Sequence, residues 1–171
     1  MTFEGKVWKF GDNISTDFMM PGPQVLAQPG ISDQDAARHC MATNRPDWAG
    51  QVKPGDVILA GRNWGCGSSR PAARLLKALG IGGIVADSMS RLFFRNAVNI
   101  GLPVLSCPGC SGSFREGDQV RVDMETGVVT NLTQGETLRG EALPVESPPA
   151  QILRAGGLQK LLQEELNNNP S

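Results

Sequence analysis

Tyrosine is absent from this chain, and histidine occurs once, as His39. Both are common proton-transfer side chains, so their scarcity argues against a self-contained histidine-based triad. A basic excess is also missing. Sixteen Lys plus Arg stand against seventeen Asp plus Glu, a net charge of -1, which gives no electrostatic footprint for nucleic acid. No apolar run approaches the roughly 18 residues needed to span a bilayer. The opening residues, MTFEGKVWKF, lack the basic-then-apolar layout of a signal peptide. The four cysteines (Cys40, Cys66, Cys107 and Cys110) are too few and too irregularly spaced for a secreted disulfide framework. The expectation is a soluble, cytoplasmic protein that folds as one domain over residues 1–171.

What is present is a regular alternation of elements. KVWKF alternates as a strand does. Residues 11–30 hold three prolines and three glycines and predict a loop, not a helix. SDQDAARHCMA begins with a Ser cap candidate and early acids. Its Ala36, Ala37, Cys40 and Met41 fall at helical spacing, which predicts a helix over residues 32–42. KPGDVILAG predicts a turn and then a buried strand. In PAARLLKALG, Ala72, Ala73, Leu75, Leu76 and Leu79 share one helical face, and Gly80 stops the helix. IGGIVAD, SMSRLFFRNAVNIG and LPVLS continue as strand, helix and strand. Strands alternating with helices predict parallel pairing in a layered α/β unit. The period then changes. DQVRVDMETGVVTNL predicts a hairpin about its Glu-Thr-Gly turn, ETLRGEALP an edge strand, and the chain closes on a helix broken at Gly156 and Gly157.

Between the first buried strand and the helix that follows lies GRNWGCGSSR, residues 61–70. In an open α/β sheet that place is the carboxyl end of a strand, where ligands bind. Glycines let a ligand approach the main chain, and a helix N-terminus offers unpaired N–H groups to an anion. Pro71 suits a first helical turn, and Arg70 carries a planar fork matched to a carboxylate or phosphate. The stretch therefore reads as an anion-binding turn with two hydroxyls, Ser68 and Ser69. The plainer reading is a tight turn in which Ser69 caps the helix. Neither the dinucleotide fingerprint nor the Walker A lysine motif is satisfied. Asp17, in STD, reads on its own as a loop acid that caps a turn.

Other candidates carry two readings each. CPGC, residues 107–110, is either half of a tetrahedral zinc site, with Cys40, Cys66 and His39 left to complete it, or a turn with two ordinary thiols. Cys66 reads as a small buried side chain more readily than as a nucleophile, because no histidine base is near it in sequence. His39 is expected at a surface or boundary. RLFFRN mixes bases and aromatics, but Leu92, Phe93 and Ala97 fit one core-facing helical stripe. The terminal LQKLLQEEL either covers the sheet or docks a partner helix.

In order, FGDNISTDFMMPG, KPGDVILAGRNWGCGSSR and GIVADSMSRLFFRNAVNIGLPVL resemble the small subunits of 3-isopropylmalate dehydratase. Those chains are counterparts of the swivelling C-terminal domain of aconitase. The resemblance runs from about Lys6 to Leu105, with the hairpin and terminal helix in keeping. It implies an α/β fold of the swivelling β/β/α type and a hydro-lyase that works as a heterodimer. It also implies a separate large subunit holding a [4Fe-4S] cluster, and no metal in this chain. By resemblance Ser68 is the base that takes the carbon-bound proton as water leaves, Arg70 grips a substrate carboxylate, Ser69 assists it, and Asp17 reaches the composite site. The implied reaction is reversible dehydration and hydration of an alkyl-substituted malate, 3-isopropylmalate to 2-isopropylmalate, in leucine biosynthesis. A partner that brings acid/base groups and a cluster also answers the shortage of such groups here.

Two departures stand out. The family commonly has Ser-Ser-Arg-Glu where this chain has Pro71, and an acid where this chain has Ser15. A methyl- or dimethylmalate dehydratase subunit is therefore the alternative within the family. A non-catalytic anion- or zinc-binding module is the alternative outside it. In aconitase-like relatives the loop after the Thr-Asp motif carries a substrate-reading arginine. Here no Lys or Arg occurs between Lys9 and Arg38. Met19, Met20, Val25 and Leu26 are expected either to face an alkyl group or to pack in the core.

Overall fold

The computed structural model describes residues 1–67 and 70–168. Its strands are β1 (Thr2–Lys9), β2 (Val57–Ala60), β3 (Gly83–Ala86), β4 (Val104–Ser106), β5 (Gln119–Asp123), β6 (Val128–Asn131) and β7 (Glu136–Arg139). Its helices are α1 (Thr16–Met19), α2 (Pro23–Leu26), α3 (Asp33–Ala37), α4 (Trp48–Gln51), α5 (Ala72–Leu79), α6 (Arg91–Asn99), α7 (Cys110–Ser113), α8 (Pro148–Ala155) and α9 (Leu158–Asn168).

The strands form one seven-stranded sheet in the order β4-β3-β2-β1-β5-β6-β7. β2 (VILA) and β3 (GIVA) are buried at every residue. Continuous apolar runs suit strands covered on both faces, the condition of a parallel sheet. Accordingly β1, β2, β3 and β4 pair in parallel, with Val7 opposite Val57, Val57 opposite Gly83 and Ile84 opposite Val104. β5 differs: Val120 and Val122 are buried, while Gln119 and Arg121 are exposed. That alternation suits one wet face, and β5 and β6 form the expected antiparallel hairpin, with β7 at its edge. β1 joins the two halves by pairing antiparallel with β5 along its other side.

The helices between the parallel strands bury one stripe each. α5 buries Ala72, Ala73, Leu75 and Leu76, and ends where Gly80 turns left-handed at φ 107°. α6 is capped by Ser90, whose hydroxyl accepts from the Phe93 amide, and it buries Phe93, Ala97 and Val98. Leu92, expected on that stripe, is 40% exposed. It lies one position, about 100° of helix rotation, off the buried side.

The other differences from the sequence reading have local causes. β1 begins at Thr2 because Thr2 to Lys6 pair with Asp123 to Gln119, a long-range contact with no local signature. Residues 11–30 contain two one-turn helices. Pro23 starts one of them, and Ser15 caps the other by accepting from the Phe18 amide. α3 stops at Ala37, and the chain continues through turns with Met41 left-handed at φ 61°. Ala36, Ala37, Cys40 and Met41 are nevertheless all buried. Their spacing revealed the buried set but not the helix length. Among the described residues no helix is long and apolar enough to cross a membrane.

Candidate functional site

The three quoted motifs lie side by side. Beyond the carboxyl ends of β1 and β2 the pairing continues outside regular strand. Asn13 N–H donates to the Arg62 carbonyl (2.8 Å), Gly65 N–H to Ile14 (2.8 Å) and Thr16 N–H to Cys66 (2.9 Å). On the other side, Trp64 N–H donates to Ser88 (3.0 Å), Ser90 N–H to Trp64 (2.9 Å), and the Ser90 hydroxyl to the Gly65 carbonyl (2.8 Å). The glycine turn is therefore held between residues 11–16 and residues 88–90.

Side chains fasten the same seam. The Asp12 carboxylate accepts from the Arg62 amide (2.7 Å) and from its guanidinium (3.1 Å). The amide bond first, then the side chain, holds Asp12 below the ordinary carboxylate range. Asn63 donates to Asn13 (3.0 Å), and both residues are left-handed, at φ 58° and 57°. Gly65 is required: at φ +71° a Cβ there would lie 2.4 Å from Phe93. Trp64 packs edge-on to Phe93 with ring centroids 6.1 Å apart. The turn thus rests on the aromatic core that also contains Phe10 and Trp48.

This seam brings Asp17 to Arg70. Arg70 Nε lies 2.8 Å from Asp17 Oδ1, and both side chains are about half exposed. α5 begins at Ala72 with Pro71 at its N-cap position, one residue later than the sequence suggested. Arg74, in the first turn of α5, pairs with Asp33 at 3.1 Å. A cleft of about 310 Å³ opens beside these residues, lined by Arg70, Pro71, Arg74, Asn96, Asn99 and Ile100. Ser68 and Ser69 lie outside the described residues, so of the four expected site residues Arg70 and Asp17 are the two brought together. The Arg74–Asp33 and Asp12–Arg62 pairs were missed, because ion pairs between distant segments leave no periodic trace in a sequence. A larger groove of about 450 Å³ lies between α6 and α8, and neither Arg70 nor Asp17 lines it.

The apolar side chains of residues 19–26 do not line this cleft. Met19, Met20 and Val25 are 0%, 7% and 8% exposed, and Leu26 packs partly buried against the core. Packing is therefore the reading the structure supports for them. His39 is exposed and Cys66 half-buried. Burial in apolar surroundings pushes the Cys40 thiol up to about 12. Among the described residues no three His, Cys, Asp or Glu side chains are grouped to hold a metal ion. The described residues thus group no ligand set for an iron–sulfur cluster or a tetrahedral zinc.

A parallel sheet with a glycine turn at its carboxyl edge, presenting a half-exposed arginine, is the arrangement of an aconitase-type swivel domain. The aconitase C-terminal domain family matches residues 28–108. The isopropylmalate/citramalate isomerase small subunit of Methanocaldococcus jannaschii is 44% identical over 164 residues, 95% of each chain. The 2,3-dimethylmalate dehydratase small subunit of Eubacterium barkeri is 39% identical, over 92% of this chain and 94% of that one. A crystal structure of 3-isopropylmalate dehydratase from M. jannaschii superposes with a TM-score of 0.88 at 35% identity, covering 98% of this chain and 97% of that one. The chain belongs to the 3-isopropylmalate dehydratase small-subunit family, a family of hydro-lyase subunits with the swivelling β/β/α fold.

Proposed function

We propose that this chain, as a single swivel domain over residues 1–171, supplies the carboxylate grip and the proton-transfer group of a two-subunit hydro-lyase. Its substrate is an alkyl-substituted malate, 3-isopropylmalate first. The observation that carries this reading is the Arg70 side chain, half exposed at the head of α5 and oriented by Asp17 at 2.8 Å. Asp17 engages Nε, which leaves the Nη edge to meet a substrate carboxylate in a two-pronged contact. Proton removal next to that carboxylate leaves negative charge on its oxygens, and a positioned guanidinium stabilises such charge as it develops. Ser68, two residues before Arg70, takes the proton, with Ser69 as a second hydroxyl on the substrate. The partner is a large subunit that carries the [4Fe-4S] cluster, for which the described residues offer no ligand set. A dimethylmalate is the second substrate candidate, favoured by the Eubacterium barkeri relative and by Pro71 in place of the common acid.

Reconstitution with a cluster-bearing large subunit tests this. The isolated chain should be inactive, and the mixed pair active on 3-isopropylmalate. Ser68→Ala should lower the rate of the pair by about 100- to 10,000-fold with unchanged circular dichroism. A near-normal rate in Ser68→Ala would remove that serine from the reaction. Activity in the chain alone would overturn the two-subunit assignment.

A further inference from the structure

Cys107 and Cys110 are used by nothing described so far. Cys107 follows β4, and its amide donates to the Ala86 carbonyl at the end of β3 (2.8 Å). Cys110 opens α7, its amide donates back to the Cys107 carbonyl (3.1 Å), and Gly109 between them sits at φ 84°, ψ -3°. With Pro108 at the second position, these are the signs of a type II β-turn. A hydrogen-bonded turn holds its first and fourth Cα atoms within about 7 Å. That overlaps the range of about 4.4–6.8 Å in which a disulfide forms. We propose that Cys107 and Cys110 are a redox modification site, a dithiol that closes to a disulfide in place under peroxide.

The surroundings support both the asymmetry and the access such chemistry needs. Both sulfur-bearing residues are fully buried, yet Pro108 and Gly109 at the apex of the turn are exposed. A Cβ at Gly109 or Gly112 would meet nothing within 4 Å, so no packed layer lies over those two positions, and local opening of a short exposed turn costs little. The Cys110 thiol donates to the Ala60 carbonyl at 3.9 Å, and it also interacts with the neighbouring Cys107 sulfur. The interaction between the two sulfurs pulls Cys107 below the ordinary thiol range and, with burial, pushes Cys110 up. The attacking thiolate is therefore Cys107. Its sulfur attacks one oxygen of hydrogen peroxide, the O–O bond breaks, and the departing hydroxide takes up a proton as water. Cys107 becomes a sulfenic acid. The Cys110 sulfur, on losing its proton, attacks the sulfenic sulfur, the S–O bond breaks, and a second water leaves as the S–S bond forms. Two thiols lose two electrons, and one peroxide becomes two waters.

The pair is placed where closure reaches the candidate site. Cys110 Sγ lies 3.9 Å from the carbonyl of Ala60, the last residue of β2 before the glycine turn. The next residue, Ser111, donates its amide (2.9 Å) and hydroxyl (2.5 Å) to Asp87 at the end of β3. Burial would raise Asp87, but the Ser111 bonds outweigh it and keep that carboxyl low.

The full-length chain, treated with hydrogen peroxide, alkylated in denaturant and digested with trypsin, provides the test. Residues 96–115, between Arg95 and Arg115, form one peptide containing only these two cysteines. The expected product is that peptide two hydrogens lighter and unalkylated, with dithiothreitol restoring two alkylatable thiols. In Cys110→Ser the lighter species should vanish, and Cys107 should be trapped as a sulfenic acid by a dimedone probe. If both cysteines remain alkylatable, or both appear as sulfinic acids, in a chain that circular dichroism shows folded throughout, the proposal is overturned. The readout needs no partner, so loss of a large-subunit cluster to peroxide does not enter it.

Discussion

Arg70 and Arg74, four residues apart at the head of α5, each hold one aspartate of the preceding segment: Arg70 Nε lies 2.8 Å from Asp17 Oδ1, and Arg74 Nε lies 3.1 Å from Asp33 Oδ2. The segment from α1 to α3 is thereby fastened across the start of α5 at two points. Exposed pairs of this kind contribute little to stability, about 0–1 kcal/mol each, so their value is orientation. Arg70→Lys keeps the charge but loses the planar fork. It should raise KM and lower kcat together, with a combined loss in kcat/KM of about 10- to 100-fold and an unchanged melting temperature. Asp17→Asn should give a smaller loss in the same direction. Steady-state kinetics of the reconstituted pair on 3-isopropylmalate measures both. Wild-type kinetics in Arg70→Lys would exclude a two-pronged grip.

Gly65 and Gly67 differ in what they tolerate. Both have positive φ, +71° and +96°, but a Cβ at Gly65 would lie 2.4 Å from Phe93, whereas at Gly67 the nearest atom among the described residues is Ser15 Cβ at 3.5 Å. Gly67→Ala should cost only the left-handed penalty, about 1–2 kcal/mol. Gly65→Ala adds overpacking of about 1–3 kcal/mol against a ring in the core, and should melt lower by a further 2–10 °C or so. Thermal unfolding of the two variants side by side gives the order. Equal melting temperatures would mean that the turn is not seated on Phe93.

Acid should destabilise the protein through two carboxylates just before β5, buried Asp118 and exposed Glu116. Asp118 is 6% exposed. Its burial favours the neutral acid, but bonds from Arg115 N–H (2.9 Å), Asn131 Nδ2 (2.7 Å) and Gln134 Nε2 (2.5 Å) outweigh that and hold it below its ordinary value of 3.8. Glu116 is likewise low, chiefly through its hydrogen bond from Arg45. A folded pKa below the unfolded one gives stability that is present above the unfolded value and lost as pH falls through the folded one. Urea midpoints should therefore change little through these groups from pH 7 to 5 and fall below about pH 4. Asp118→Asn should cost about 1–3 kcal/mol at pH 7, and its deficit against wild type should shrink on acidification. A constant deficit down to pH 3 would contradict the assignment.

The parallel half of the sheet was legible because VILA, GIVA and VLS are apolar runs too short for helices and separated by helical stripes. The glycine turn was legible as a tight connection from strand to helix because glycines, a buried strand before them and a helical stripe after them meet there. That Asp17 lies beside Arg70 was suggested only by the family resemblance. On its own it is one acid in a loop, and the ladder from Asn13 to Thr16 that carries it to Arg70 is built from main-chain bonds that any sequence can make. The same limit hid the Arg74–Asp33 pair. Leu92 shows another limit: a six-residue stretch fits two adjacent helical stripes, and only packing against Trp64 and Gly65 selects Phe93 over its neighbour.

Substrate choice follows from a shortage of cations. From Phe10 to Ala37 the chain has neither Lys nor Arg, and Met19, Met20 and Val25 there are turned into the core. Of the two arginines beside the cleft, Arg70 is assigned to the carboxylate next to the proton-bearing carbon, and Arg74, held through Nε by Asp33 as Arg70 is by Asp17, leaves one further guanidinium for the second carboxylate of a malate and none for a third. A third carboxylate brought against this segment would be desolvated without a cation supplied by it. Such a penalty is several kcal/mol, and each 1.4 kcal/mol or so is tenfold in affinity. Citrate and homocitrate should therefore trail the alkyl malates by at least about 100-fold in kcat/KM, with 3-isopropylmalate ahead of the methyl- and dimethylmalates. Introducing a cation at an exposed position of the same segment, Gln24→Arg or Gln28→Arg, should narrow that gap from the citrate side by a few fold. A panel of hydroxyacids assayed with the reconstituted pair decides the order. Citrate as the best substrate would show that the partner subunit supplies the missing cation, and the role of residues 10–37 in selection would fall while that of Arg70 stood.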